Sequence, residues 1–298
     1  MINKNFLSQI FSRPPPTSQE QTDSSSESPK MNLDRQLVVV DIGCRWGFAE
    51  KFISKERIFH VYGFDPDREE CQRLEKRYEG ESVSIVPLGL AGTSGKRTLH
   101  ITQEPACSSL LPPDKSLTEN YPALWCARQV STLEVETTTL DEWATSAAVP
   151  LVDYIKLDTQ GTELEILKGG IQVLKSVRCI EVEVEFNPIY IGQPVFSDVD
   201  LFLRSQGFVL WKLTNQVHYS SAGAPDAPIG KDAIYYDEKH QIDHPLYGGQ
   251  LYWANAHYIK KDVLLGHRET ESHKTRDVTL FQSLGMPDVV SHLRTQNP

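Results

Sequence analysis

The chain has 298 residues, 39% of them hydrophobic and 23% charged, which is long enough for one large α/β domain or two smaller ones. Its formal net charge of −10 repels phosphate groups, so we expect neither nucleic acid nor an anionic lipid surface as a partner. No apolar run is as long as a membrane span, and we expect no integral membrane segment. The five cysteines form no C-x-x-C pair, which disfavours a disulfide framework or a zinc site and favours a cytoplasmic protein with reduced thiols.

Residues 1–33 are predicted to be a disordered tail. Three consecutive prolines at positions 14–16 precede a stretch rich in Ser, Gln and Glu that is too polar to form a core. Four apolar residues between positions 6 and 11 form a face that is too short for a signal-peptide core. Such a face could dock on a partner or a membrane surface, and a frayed terminus without that role is the simpler expectation.

The first strand and its turn are predicted at residues 38–47. Three valines at positions 38–40 are typical of a buried strand in a parallel sheet, and Asp41 ends this apolar run. Gly43 and Gly47 bracket a tight turn, after which apolar spacing predicts a helix through Phe52. Glycine lets the backbone approach a ligand closely, and ligands of open α/β sheets bind beyond the carboxyl ends of the strands. We therefore predict that Asp41, Gly43 and Gly47 bind a cofactor.

A second strand over residues 58–64 leads to Asp65, Pro66 and Asp67. Asp65 stands about twenty positions beyond the glycine turn, where folds of this type bind ribose hydroxyls. The pattern D-x-G-x-x-x-G lacks the second glycine of the dinucleotide fingerprint, and its carboxylate would attract a cationic amino acid group. This favours S-adenosylmethionine as the cofactor. In the structural alternatives, Asp41 only forms a turn and Asp65 caps a helix.

Strands and helices alternate from here, as in βαβ units, with a helix predicted at residues 67–78 and strands at 83–87 and 97–102. Residues 103–130 show no clear period and contain scattered aromatic residues. A segment of this length without regular structure is often a lid over a functional site. A surface insertion without a function fits the pattern equally well.

Residues 152–163 repeat the order of strand, carboxylate, glycine turn and helix. In a parallel sheet this turn opens on the same edge as the first one, so Asp158, Gly161 and Glu163 are predicted to face the cofactor or the acceptor. Lys156 lies two positions before Asp158 and points to the same face of the strand. In the structural alternative, Lys156 and Asp158 form a charge pair and Glu163 is an exposed residue of the first helical turn.

The strand predicted over residues 177–186 alternates apolar residues with Glu181, Glu183 and Glu185. Burying an unpaired carboxylate costs several kcal/mol, so at least one of the three needs a basic partner or access to solvent. Glu185 is nearest to the carboxyl end of the strand and is the functional candidate among them.

Four segments, residues 41–47, 135–141, 155–170 and 183–186, resemble the FkbM-type methyltransferase family in sequence and in order. The resemblance covers about residues 37–212. It implies the α/β, Rossmann-like fold of class I S-adenosylmethionine-dependent methyltransferases, which has a mostly parallel seven-stranded sheet, one antiparallel strand and helices on both faces. It also implies O-methylation, often of a hydroxyl on a sugar, a glycan or a secondary metabolite. The family usually has Glu where this chain has Gln160. Gln can still form hydrogen bonds at this position, but it carries no negative charge.

O-methylation requires an acceptor hydroxyl in line with the methyl carbon and a base that removes its proton. The first candidate for this base is Asp158, with Lys156 beside it, and the second is Glu185. A divalent cation could bind through Asp158 and Glu163, but the ligand set is incomplete, so we predict no metal site and leave metal dependence open. The acceptor is expected to be a small molecule or a glycan. Two other classes remain as alternatives, a nicotinamide-type oxidoreductase and a catalytically silent protein that keeps the cofactor fold.

The predicted methyltransferase domain spans residues 34–261, with its last two strands at 208–213 and 251–259. The polar insert between them, residues 214–250, is rich in Tyr and His. Aromatic rings stack on sugars, so this insert is the candidate acceptor-side loop. Residues 262–298 are predicted to be a tail with a short helix near positions 280–284.

Overall fold

The computed structural model describes residues 33–53, 56–149, 151–219, 234–237, 242–245, 250–265 and 271–295. The strands are β1 Leu37–Ile42, β2 Phe59–Phe64, β3 Val83–Val86, β4 Gly89–Leu90, β5 Gly95–Thr102, β6 Gln129–Thr138, β7 Tyr154–Leu157, β8 Cys179–Glu185, β9 Phe208–Tyr219, β10 Ile234–Asp237, β11 Ile242–Pro245 and β12 Gln250–Lys260. The α-helices are α1 Arg68–Arg77, α2 Lys115–Thr118, α3 Leu140–Ser146, α4 Glu163–Lys168, α5 Phe196–Ser205, α6 Lys261–Leu265, α7 Glu271–Ser283 and α8 Pro287–Thr295. Short 3-10 helices lie at Glu50–Phe52, Pro105–Cys107, Pro122–Ala127 and Val173–Lys175.

Seven strands form the central sheet, in the order β3-β2-β1-β7-β8-β12-β9. Neighbouring strands from β3 to β8 pair in parallel, whereas β12 is antiparallel to β8 and to β9. The predicted class I methyltransferase sheet, mostly parallel with one reversed strand, is confirmed. The chain runs outward from β1 to β3 and returns to β7 on the other side of β1, so the strand order reverses between β1 and β7. Ligands of such sheets bind at this reversal, beyond the carboxyl ends of the strands.

The central sheet is covered on both faces, which explains the continuous apolar runs of its parallel strands. Val40 and Ile42 of β1 belong to a core cluster with residues of α3, α4 and α5. Leu37 and Val39, which alternate with them, belong to a second cluster with residues of α1, α7 and α8. The predicted layers of helices on both faces are therefore confirmed.

The segment that follows the first glycine turn differs from the predicted helix. Only Glu50–Phe52 is helical, as a single 3-10 turn. The ring of Phe52 lies 5.2 Å from the ring of Phe59 and 5.3 Å from the ring of Tyr154, measured between centroids. The apolar spacing that predicted a helix reflects direct packing of these side chains on the sheet.

The C-terminal segment forms two helices where we predicted a tail with one short helix. Phe281 of α7 and Leu293 of α8 are fully buried in the second core cluster. Arg276 of α7 donates to both carboxylate oxygens of Asp153, at 2.8 and 2.9 Å, and both side chains are buried. Because charged residues lie on the buried face of α7, its apolar period is weak, and the sequence pattern missed most of the helix.

Part of the predicted insert over residues 214–250 is described. β9 continues to Tyr219, and β10 pairs with β11 in antiparallel orientation. The remainder of the insert and nearly all of the predicted tail over residues 1–33 lie outside the described residues, so their proposed roles stay predictions. Within the part of the chain that the structure describes, no helix is long and apolar enough to cross a membrane.

Substitution of Phe281 measures how much the packing of the C-terminal helices on the sheet contributes to the free energy of unfolding. Phe281→Ala is expected to lower the free energy of unfolding by about 3–5 kcal/mol, because the fully buried ring would leave a cavity. Leu201 of α5 is 74% exposed, and Leu201→Ala, the control, should change this free energy by no more than about 0.5 kcal/mol. Urea denaturation compares the two variants. A similarly small loss in both would contradict the packing of α7 against the sheet.

Candidate active site at the carboxyl edge of the sheet

Two glycine-containing turns meet at the carboxyl ends of β1 and β7. Gly43 has a φ of +83°, and a Cβ atom at this position would lie 1.9 Å from the carbonyl oxygen of Asp158. The amide of Asp158 donates to the carbonyl of Ile42 at 3.0 Å, so the two turns are in direct contact. Gly47 has a φ of +93°, and its Cβ would lie 2.4 Å from the hydroxyl oxygen of Tyr78. Both predicted glycines are therefore required by close packing, and their role toward a cofactor stays a prediction.

Asp65 lies at the end of β2 and is buried. Its Oδ1 accepts from the amide of Asp67 at 2.8 Å, and Asp67 in turn caps α1 by accepting from the amides of Glu69 and Glu70. The structural alternative for Asp65 is wrong, because the helix cap is Asp67. Burial raises the pKa of Asp65 to about 6, although the amide of Asp67 and the charge of Arg45 act in the opposite direction.

Lys156 lies between two carboxylates of this edge. Its Nζ is 3.6 Å from Oδ1 of Asp41 and 3.6 Å from Oδ2 of Asp158, since the pairing of β1 with β7 sets Asp41 beside Lys156. Burial disfavours the ammonium ion, but the surrounding carboxylates outweigh this effect and raise the pKa of Lys156. Burial also raises the pKa of Asp41, whose Oδ1 has no hydrogen-bond partner among the described residues. The charge pair of the structural alternative is thus present, at the same place as the candidate site.

Glu181 of β8 has a basic side chain beside it, His257, as we expected for at least one of the three glutamates. It accepts from the hydroxyl of Tyr154 at 2.7 Å and from the side-chain amide of Asn255 at 3.2 Å. Nδ1 of His257 lies 3.8 Å from Oε2 of Glu181, the oxygen that accepts from Tyr154. Burial would raise the pKa of Glu181, but His257, Tyr154 and Lys156 together lower it.

The other two glutamates of β8 are deeply buried, with Glu183 7% and Glu185 3% exposed. Burial, followed by repulsion from neighbouring carboxylates, raises the pKa of both groups well above the usual range. A raised pKa favours the neutral acid, which costs less to bury than a carboxylate. By contrast, 41% of the Asp158 side chain is exposed. Of the two candidates for the base, Asp158 is accessible to solvent and Glu185 is not.

Gln160 connects the strand ends to the rest of the site. Its Nε2 donates to Oδ1 of Asp158 at 3.1 Å and to Oε2 of Glu183 at 2.7 Å. Its backbone carbonyl accepts from the hydroxyl of Ser109 at 2.8 Å, and its side-chain oxygen accepts from the hydroxyl of Tyr190 at 3.4 Å. Its φ of +60° lies in the left-handed region that few non-glycine residues adopt. The departure from the family's usual Glu was the sequence signal for Gln160, and the alternation along β8 was the signal for Glu183, although Glu185 was preferred there as the functional candidate. No local pattern pointed to Tyr190.

Glu163 fastens the turn that follows β7. It is buried and accepts from the amide and the hydroxyl of Thr159, at 2.7 and 2.9 Å, and from the amide of Gly161 at 2.9 Å. It is therefore not the exposed helix residue of the structural alternative. Gly161 has a φ of +107°, and a Cβ atom there would lie 2.9 Å from Nε2 of Gln193. In the described ranges no group of three or more His, Cys, Asp or Glu side chains is arranged to hold a metal ion.

Residues 103–130, for which a lid and a surface insertion both remained open, are packed beside this site. The amide of Asp114 donates to the carbonyl of Ile189 at 2.9 Å, and the amide of Ile191 donates to the carbonyl of Pro112 at 2.8 Å. The buried members of the core cluster at this contact are Cys107, Leu124, Ala127, Ile189, Tyr190 and Tyr252. The segment is thus a packed wall next to Gln160 rather than a loose insertion.

A family model matches the same part of the chain that carries these features. The model described as "Methyltransferase FkbM domain" matches residues 41–210, more than half of the chain, from Asp41 of the first turn into β9. The chain belongs to the FkbM methyltransferase family. This confirms the resemblance found in the sequence, and it favours methyl transfer over the oxidoreductase alternative.

Two relatives of this FkbM-family chain are also methyltransferases by name. The 2-O-methyltransferase NoeI of Sinorhizobium fredii strain NGR234 is 26% identical over 174 residues, which cover 55% of this chain and 70% of NoeI. The hexuronic acid methyltransferase AglP of Haloferax volcanii is 29% identical over 149 residues, which cover 49% of this chain and 55% of AglP. The crystal structure of a methyltransferase FkbM from Methylobacillus flagellatus KT is similar at a TM-score of 0.40 and 14% identity, over 75% of this chain and 43% of that chain. This chain therefore spans less than two thirds of the length of AglP and of the M. flagellatus protein.

The contact between the two turns of the FkbM-family site can be tested at Gly43. Gly43→Ala is expected to lower the free energy of unfolding by about 3 kcal/mol or more, because it combines strain at positive φ with a clash against the carbonyl of Asp158. Gly80 is the matched control, since its φ is also +83° and nothing lies within 4 Å of a Cβ placed there. Gly80→Ala should cost only the conformational strain, about 1–2 kcal/mol. Equal costs in urea denaturation would show that the turns do not touch.

Proposed function

We propose that this protein transfers the methyl group of S-adenosylmethionine to a hydroxyl group of a sugar or glycan. The observation that carries the proposal is the exposed carboxylate of Asp158, beside Lys156 and Asp41 at the carboxyl edge of the sheet, in a chain of a methyltransferase family. The relatives' names support the acceptor class, because one is a 2-O-methyltransferase and the other a hexuronic acid methyltransferase.

The residues at this edge fit S-adenosylmethionine. Oδ1 of Asp65 accepts from a backbone amide, and its other oxygen would accept from a ribose hydroxyl. The buried Oδ1 of Asp41, which lacks a hydrogen-bond partner among the described residues, suits the cationic amino group of the methionine part. The turn from Gly43 to Gly47 lets backbone amides approach the cofactor closely. When bound, S-adenosylmethionine supplies a methyl group attached to a positively charged sulfur, which is a good leaving group.

The protein's own residues orient the acceptor and take up its proton. Burial would raise the pKa of Asp158, but the charge of Lys156 and the hydrogen bonds to this carboxylate lower it, so Asp158 is ionised at neutral pH. Its partly exposed carboxylate can then accept a hydrogen bond from the acceptor hydroxyl and hold the hydroxyl oxygen in place for in-line transfer. Tyr190 and the packed wall of residues 103–130 border the site on the side of Gln160.

Titration calorimetry tests the cofactor. We expect S-adenosylmethionine to bind and NADH not to bind, and Asp65→Ala should weaken binding at least about tenfold, since a hydrogen bond to a charged group is lost. Because the pKa of Asp65 is about 6, its carboxylate is ionised above this pH, and affinity should fall as the pH drops through 6. Asp198→Ala, which removes an exposed carboxylate in the first turn of α5, is the control and should bind normally. Binding of NADH without binding of S-adenosylmethionine would refute the proposed function.

Turnover tests the role of Asp158. With a library of sugars and glycans as acceptors and mass gain of one methyl group as the readout, Asp158→Asn should lower kcat by about 10²–10⁴-fold while the melting temperature and cofactor affinity stay nearly unchanged. Glu185→Gln is the matched carboxyl-to-amide change at the rival position. A large loss in Glu185→Gln with unchanged turnover in Asp158→Asn would move the base to Glu185. If Asp158→Asn lowers the melting temperature and leaves turnover unchanged, Asp158 has only a structural role, as the ion-pair partner of Lys156.

A further inference from the structure

Asp158 and Glu183 are held together by a single amide group. Nε2 of Gln160 carries two hydrogens, and it lies 3.1 Å from Oδ1 of Asp158 and 2.7 Å from Oε2 of Glu183. The two carboxyl groups differ in access, because 41% of the Asp158 side chain is exposed and only 7% of Glu183 is. Asp158 is thus accessible to solvent at the end of β7, and Glu183 is the buried member of the pair on β8.

The two groups also differ in their affinity for a proton. Burial and then the negative charges of Asp158 and Glu185 raise the pKa of Glu183. Burial opposes the ionised form of Asp158 as well, but Lys156 and the hydrogen bonds from Glu183 and Gln160 lower its pKa. A carboxylate stabilised in this way is a weak base on its own, whereas a base works best when its pKa is near the working pH.

We propose that Asp158 and Glu183 act as one proton-accepting pair, in which Asp158 meets the acceptor hydroxyl and Glu183 stores the proton behind it. The proposal rests on the proposed function. In the reacting form both carboxyl groups are ionised, and each keeps one hydrogen bond from the amide of Gln160. The O–H bond of the acceptor breaks, its proton is received by Asp158 and passes to Glu183, and the electron pair stays on the acceptor oxygen for the new bond to the methyl carbon. Glu183 acts through Asp158 and is a positioning and proton-storing residue.

Several other groups set the protonation of this pair. Other charged or titratable groups also act on Glu183. They include Glu185 on β8, Lys156 on β7, Glu163 at the start of α4, Tyr190 in the loop after β8 and Cys107 in the wall of residues 103–130. Glu181 lies on the same face of β8, two positions from Glu183. On β12 the residue in register with Glu183 is the neutral Asn255. Most of these groups are acidic or neutral, so the second ionisation of the pair is shifted to higher pH.

The pH dependence of kcat, at saturating S-adenosylmethionine and acceptor, tests the pair. In the wild-type protein kcat should rise up to about tenfold per pH unit below an apparent pKa that lies above the usual carboxyl range, because only the fully ionised pair reacts. In Glu183→Gln this rise should vanish, and kcat on the plateau should fall about 10²-fold, since Asp158 alone is a weak base. The rise should persist in Glu185→Gln, and the exposed Glu79→Gln should match the wild type. A rise that survives in Glu183→Gln would overturn the proposal.

A second measurement needs no turnover. In protein with ¹³C-labelled carboxyl groups, the NMR signal of Glu183 should titrate well above the usual range and shift to lower pH in Asp158→Asn. An unshifted titration would overturn the proposal while leaving the proposed function standing. A wild-type protein that shows this coupling but methylates no sugar or glycan would refute the proposed function, and the catalytic role of the pair with it.

Discussion

The positive charge of Lys156 is what allows several acidic side chains to lie together at the carboxyl edge of the sheet. Its Nζ lies 3.6 Å from the carboxylates of Asp41 and Asp158, and its charge also acts on Glu181 and Glu183. An unpaired buried carboxylate costs several kcal/mol, so such a cluster needs a cation among its members and protons on some of its carboxyl groups. The pairing of β1 with β7 places the ammonium group of Lys156 in this cluster, because Lys156 is in register with Asp41.

The same pairing divides the edge into two sides. On the side of β1 and β2 lie the glycine turn, Asp41 and Asp65, which suit a cofactor with a cationic amino group and a ribose. On the side of β8 lie Asp158 and the buried glutamates, bordered by the packed wall of residues 103–130, which suit a hydroxyl acceptor. Lys156 stands between the two sides and contacts a carboxylate of each. The reversal of strand order at β1 and β7 explains why both sides open at one place.

The sequence predicts those parts of this arrangement that depend on local pattern. Runs of β-branched residues identify β1, and carboxylates followed by glycines identify both turns, because a strand end and a tight turn each need particular residues at adjacent positions. The bridge from Gln160 to Glu183 joins residues of two different elements, and no period or spacing encodes such a contact. The C-terminal helices were largely missed for a different reason, since Arg276 lies on a buried face and weakens the apolar pattern. Asp158 and Glu185 were both candidates for the base, and only the folded sheet shows that Asp158 is exposed and Glu185 is buried.

We expect S-adenosylmethionine to bind across the ends of β1 and β2 with its reactive end toward Asp158. A crystal structure of the protein with S-adenosylhomocysteine, the product form of the cofactor, tests this most directly. We expect the ribose hydroxyls within hydrogen-bonding distance of Asp65, the amino group at Asp41 and the sulfur on the side of Asp158. A product molecule bound without contact to Asp65 and Asp41, or with its sulfur turned away from Asp158, would contradict it.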